Sequence, residues 1–282
     1  MFSYKKNKTL FNSFSDLSDF YNYIQKTPRR AGADNSSETG DPHWTGTKNY
    51  EEAIDLFLGG DEKLYEEFKQ GEKLDVSKML GNNVNRKKYK NDVVGFQPNI
   101  PNYLMNIPND MINEEPKKVS QKVLNIAVSM SVSAGVSPDN IKKAGMLYLQ
   151  ILDLLEKTGY RVNLYIMTNT YASSDYKYHC MVRIKTDREP LNIKKCVFPI
   201  AHPSMLRRLF FKWDEVCDAD YDLTGNGYGR PLTNVDEVKQ EIDKIVKSNF
   251  IIWKFQSIDK IEVATENILK ELDEKYGIKI GG

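Results

Sequence analysis

The chain has 282 residues, 40% hydrophobic and 28% charged, enough to bury a core without disulfide staples. Forty Lys and Arg against 39 Asp and Glu leave a net charge of +1, which excludes a global field drawing the protein to nucleic acid or lipid. Three cysteines, Cys180, Cys196 and Cys217, lack CxxC spacing, which argues against a disulfide framework or a thiolate zinc site; no stretch reaches the ~18 apolar residues of a membrane span.

Near the N-terminus no apolar run has the length of a signal peptide, so a soluble, intracellular or released protein is expected. Phe14, Leu17, Phe20, Tyr21 and Ile24 recur at helical spacing and predict a helix over 13–26. Residues 28–48 are turn-rich and poor in apolar side chains, and predict a long, flexible loop anchored at its end by Trp44. Asn49 and Glu52 form a capping box for a helix that Gly59 and Gly60 stop, and a second helix follows from Asp61. The lysine-rich stretch 72–92 predicts a helix that gives way to exposed chain. Three prolines in 93–112 predict an extended strap lying on the main domain.

From Lys117 onward strands and helices alternate. The run 122–130 is β-branched enough for a buried central strand, Ser137-Pro138 starts a helix that Gly159 ends, and 160–171 with 176–187 predict an antiparallel hairpin. Residues 194–200 predict a short strand, 202–216 a helix, 218–231 a glycine-rich loop, 235–248 a helix, 250–255 a strand, and 258–277 a last helix. The expected architecture is an α/β fold with a helical and extended segment over 1–116 and an α/β domain over 117–282.

The candidates for chemistry are few. His202, at a turn into a helix carrying Arg207 and Arg208, is a potential general base beside two anion-gripping guanidinia; the plainer alternative makes His202 a helix cap and pairs the arginines with Asp214 or Glu215. His179 and Cys180 are neighbours on a strand, so they point to opposite faces and form no nucleophile pair. The run Gly225–Gly229 ends in Arg230-Pro231 rather than a helix start, which fits an interaction loop with Tyr228 and Arg230 better than a phosphate cradle. Arg86, Lys87, Lys88 and Lys90, with smaller clusters at 117–118 and 194–195, are the residues that could track a nucleic-acid backbone. His43 has no evident partner, and no catalytic set, cofactor site or metal site is assembled.

The order and length of the elements from Val123 resemble a von Willebrand factor A-like, Rossmannoid domain. That resemblance implies a central sheet whose first strand ends in Asp-x-Ser-x-Ser and binds a divalent metal. Here Ser129 and Ser131 match the serines, but Ala127 stands where the Asp belongs and Asn125 lies one strand period away, so a degenerate metal-site edge is expected; Thr168 or Thr170 would imitate the family's distant threonine. Five blocks between Trp44 and Gly229, at 44–60, 93–112, 155–162, 198–215 and 227–229, resemble a widespread uncharacterised bacteriophage protein family. The resemblance implies a phage-encoded protein of the host cytoplasm or virion with no activity to carry over. Three functions are left open: a non-enzymatic interaction protein that binds a viral or host protein, a nucleic-acid binder acting through 86–90 and 207–208, and an enzyme centred on His202, Arg207 and the Ser129–Ser131 edge.

Overall fold

A computed structural model describes residues 1–71, 89–114, 122–172, 175–225, 227, 228, 230, 231, 234–254 and 261–278. The predicted element at 72–88, with Arg86, Lys87 and Lys88, lies outside the described residues, as does Lys117-Lys118.

A mixed seven-stranded sheet forms the centre. In chain order its strands are β1 (Phe2–Lys6), β2 (Thr9–Phe14), β6 (Val123–Ser129), β7 (Arg161–Tyr171), β8 (Lys177–Lys185), β9 (Arg230–Pro231) and β10 (Phe250–Trp253). Their spatial order is β1-β2-β8-β7-β6-β10. Strands β6, β7 and β10 run parallel, β8 returns antiparallel to β7, and β2 lies parallel to β8. The boundary expected at residue 116 therefore does not divide the sheet: the first fourteen residues contribute two of its strands. Their hairpin turns through Asn7 and Lys8, both at positive φ (51° and 63°), the backbone a two-residue hairpin loop requires.

Helices cover one face of the sheet heavily. They are α1 (Leu17–Lys26), two single turns α2 (Ser36–Thr39) and α3 (Pro42–Thr45), α4 (Tyr50–Gly59), α5 (Glu62–Gln70), α7 (Pro138–Lys157), α8 (Ile193–Ala201), the π-helical α9 (Met205–Phe210), α10 (Phe211–Val216) and α12 (Ile261–Tyr276). Helix α11 (Val235–Val246) packs on the opposite face through Val238 and Ile242. Asn49, Asp61 and Ser137 accept hydrogen bonds at their helix N-termini as the sequence indicates, whereas α1 is capped by Asp16 and begins at Leu17 because 9–14 is drawn into the sheet.

Two expectations fail for physical reasons. Residues 194–200 are helix, not strand: Asn192 caps α8, and Cys196 to Ala201 are buried all round, which erases the helical period and resembles a buried strand. The strap over 93–112 is instead part of a small antiparallel sheet of β3 (Tyr89–Asp92), β4 (Gln97–Pro98) and β5 (Met111–Glu114), with α6 (Ile100–Leu104) between β4 and β5. Among the described residues no helix is long and apolar enough to cross a membrane.

Candidate functional site

Strand β6 stops at Ser129, opposite Met167, while β7 continues to Tyr171. Two residues of β9 take the freed edge of β7 at Thr170 and Tyr171. Between the end of β6 and β9 the sheet parts at the carboxyl ends of parallel strands, where open α/β sheets form crevices. Ser131 bridges the gap: its Oγ accepts the Asn169 amide at 2.6 Å and stands 3.2 Å from the Thr168 hydroxyl.

A cavity of about 260 Å³ fills the parting. Ser131, Thr168 and Thr170 form its sheet side, Arg207, Phe211 and Asp214 come from α9 and α10, and Trp44, Tyr228 and Arg230 close it. Loop 28–48 is held to this wall at several points. The Trp44 indole donates to Ala134 O at 2.8 Å, the Ser36 amide donates to the Tyr228 hydroxyl at 2.7 Å, and the Asp34 amide donates to the Thr224 hydroxyl at 2.8 Å. Glu215, sealed from solvent, accepts from the Ser37 amide at 2.9 Å and the Tyr228 hydroxyl at 2.6 Å, and pairs with Arg29 at 3.2 Å. Burial, then that carboxylate, holds the Tyr228 phenol far above its ordinary pKa.

Arg207 and Arg208 are both fully buried on the π turn. The expected pairing with Asp214 or Glu215 is not formed; both guanidinia bond mainly to main-chain carbonyls. Arg207 donates to Trp44 O at 2.6 Å and Val136 O at 2.5 Å and lies 4.2 Å from the centre of the Trp44 ring. Burial lowers its pKa to about 10, so it stays charged at neutral pH. Asp214, also on the cavity lining, is buried, and desolvation pushes its carboxyl well above the usual range.

His202 does not line the cavity. Its Nδ1 accepts the Ser204 amide at 3.1 Å, the capping role, and its ring stacks on Phe198. Asp61 Oδ2 lies 3.9 Å from Nε2, beyond hydrogen-bond reach. Burial, helped by Lys142, lowers the imidazole pKa to about 3. Such a group is neutral when folded and takes up a proton near 6.5 when unfolded, so it stabilises fully only above 6.5 and the contribution is lost as pH falls toward 3. Between pH 7 and pH 5 urea unfolding should therefore show a loss of about 2 kcal/mol that His202→Asn, which keeps an acceptor for Ser204, flattens. An imidazole titrating above 6 by NMR would mean that Asp61 outweighs burial.

The sheet's other face carries a separate polar chain. Asn169 Nδ2 lies 3.3 Å from the Ser129 hydroxyl, the Asn169 carbonyl oxygen meets His179 Nδ1 at 3.0 Å, and His179 Nε2 reaches Glu241 at 3.3 Å. The contact with His179, together with Lys177, lowers the Glu241 pKa to about 2. Cys180 points to the opposite face, as strand alternation requires. At the degenerate edge Ala127 is buried under α11, and Asn125 bonds Asn163 rather than reaching Ser129. Lys90 pairs with Asp92 at 2.7 Å.

Of the sequence candidates, Arg207, Tyr228, Arg230 and Ser131 thus meet at one cavity, whereas His202, Arg208 and Ser129 stand outside it. Thr168 and Thr170, expected only as stand-ins for a metal-site threonine, line it too, and Asp214, expected only as an ion-pair partner for the arginines, joins them. No curated protein and no solved structure matches the chain. A family profile does, and it covers the hairpin, the small sheet and the cavity alike: the chain belongs to DUF7192, a domain of unknown function, matched over residues 3–278.

Proposed function

We propose that the protein is a non-enzymatic interaction protein that engages a partner protein through the small sheet at 89–114. The observation that carries this is exposure. Tyr89, Val93, Val94, Phe96, Ile100, Tyr103, Leu104, Met105 and Ile107 are all exposed within this one segment, a density of apolar surface that marks interaction sites. The segment holds one Lys against two Asp and one Glu, a net charge of −2. That balance favours an apolar protein surface over phosphate or anionic lipid. A phage origin, and a viral or host identity for the partner, belong to the same proposal and rest on the sequence blocks. A von Willebrand A-like core is also part of it, supported by the order β8-β7-β6-β10 with β8 antiparallel.

Because Phe96 and Leu104 are 63% and 76% exposed, a Phe96→Ser/Leu104→Ser double variant should leave the melting temperature within about 2 °C of the parent. Cross-linking and affinity capture from the native cell should recover a defined partner with the parent chain and at least about tenfold less with the variant. Equal recovery would overturn the reading, and self-association removed by the same substitutions would make the partner a second copy. The nucleic-acid alternative rests on Arg86, Lys87 and Lys88, since Arg207 and Arg208 are sealed from solvent. Salt-sensitive gel retardation would favour it.

A further inference from the structure

The cavity where β6 and β9 part is unfinished in a specific way. Three of its lining residues, each more than nine-tenths buried, carry a polar atom without a hydrogen-bond partner: Arg207 Nε, Thr170 Oγ1 and Asp214 Oδ1. Buried polar groups are nearly always satisfied, so three orphans among the lining residues call for something that completes them. Their chemistry says what. Arg207 brings a full positive charge, and among the described residues no carboxylate forms an ion pair with it. Asp214 forms no ion pair with it among the described residues, and burial pushes the Asp214 carboxyl up, toward its neutral form. Each terminal nitrogen already gives a hydrogen to a main-chain carbonyl, and Nε has no partner.

The remaining wall is aromatic. Arg207 sits over the Trp44 ring, and Phe211 stacks on Tyr228 at 4.1 Å. Drug-sized ligands occupy pockets of about 300–1,000 Å³, and a space of about 260 Å³ limits the occupant to one small ring system with a head group.

We propose that this cavity binds a small monocarboxylate with a flat apolar body, its carboxylate taken by Arg207, Thr170 and Asp214 and its ring lying among Trp44, Phe211 and Tyr228. One buried cation matches one negative charge. A phosphate dianion would leave a charge uncompensated at the buried end of the site, and a neutral ring would leave Arg207 without its counter-ion. Arg230, exposed at the rim, adds attraction for an incoming anion without a desolvation cost.

Titration calorimetry and tryptophan fluorescence on the full chain would test this. The probes are benzoate and naphthoate, benzyl alcohol as the neutral counterpart, and adenosine 5′-monophosphate and inorganic phosphate as dianions. Expected is saturable binding of a monocarboxylate at least about tenfold tighter than of the alcohol or the dianions. Thr170→Val removes an orphaned hydroxyl at constant shape, so it should weaken that binding at least about fivefold while the melting temperature holds or rises. Asp214→Asn, which keeps the shape and a polar tip, should weaken it less. The proposal is overturned if no monocarboxylate binds saturably, which leaves a water-filled cavity, if a dianion binds more tightly, or if both variants bind as the parent does. None of these readouts depends on the 89–114 surface, so this proposal and the partner-protein reading fail separately.

Discussion

Arg208→Met is expected to lower the stability to urea by about 3–5 kcal/mol, the cost of breaking a buried, hydrogen-bonded charge site. The side chain is fully buried and its donors have five acceptors. Nε reaches the Thr47 hydroxyl at 2.7 Å, Nη1 reaches Ser37 O and Glu38 O at 3.0 and 3.2 Å, and Nη2 reaches Thr47 O and Gly40 O at 2.8 and 3.4 Å. Methionine can fill the stem's volume but offers none of those donors. Four main-chain carbonyls from 37–47 would then be left buried or forced to open toward water. Arg208→Lys should recover only part of the loss, because a single ammonium cannot satisfy a fan of acceptors that a planar fork reaches together. Limited proteolysis gives an independent reading: residues 36–47, resistant in the parent chain, should be cut in the variant before global unfolding. An unchanged urea midpoint, or full recovery by Lys, would show that water serves those carbonyls equally well.

The same residue marks how far the sequence could be read. A turn-rich stretch such as 28–48 looks like a free loop because its own side chains are polar, yet what fixes it is donated from a helix some 160 residues away in the chain. Elements whose pattern is local were legible. The alternation and β-branching of β6 to β8, the caps at Asn49, Asp61 and Ser137, and the apolar stripe of α11 all carry their cause within one window. The N-terminal hairpin was not, because Asn7-Lys8 lacks the glycine that usually announces a turn at positive φ, and because Thr9–Phe14 finds its parallel partner in β8. Helix α8 was misread because burial on all sides hides its period. The cavity was half legible. Arg207, Tyr228, Arg230 and Ser131 stood out as residue types, but only a sheet that parts after Ser129 brings them to Thr170 and Asp214. Asp214 reads in sequence as one more surface acid, and its isolation from water is a product of tertiary packing.

Gly145→Val should be the most damaging small substitution in α7, with a loss of about 3 kcal/mol. A glycine in the interior of a twenty-residue helix forfeits about 1 kcal/mol of helix propensity relative to alanine, so its presence needs a reason. The reason is the contact with α8. A Cβ at 145 would lie 2.3 Å from Ala201 Cα, 2.5 Å from Ala201 Cβ and 2.6 Å from Ile200 O. Two of those atoms are backbone, so no rotamer change relieves the overlap and the helices must separate. Gly145→Ala sets the propensity gain against the same clash and should still lose about 1–2 kcal/mol. Adding Ala201→Gly removes one of the three obstacles and leaves Cα and the carbonyl, so it should rescue little; a complete rescue would locate the contact in the side chain instead. If Gly145→Ala raised the urea midpoint, the close approach of α7 and α8 would be disproved. The consequence reaches beyond stability. Helix α8 hands over at His202 to the π turn that carries Arg207 and Arg208, so a displaced α8 shifts both guanidinia together. Gly145→Ala, far from any lining atom, should therefore weaken monocarboxylate binding and loosen 36–47 in the same variant, whereas Thr170→Val affects binding alone.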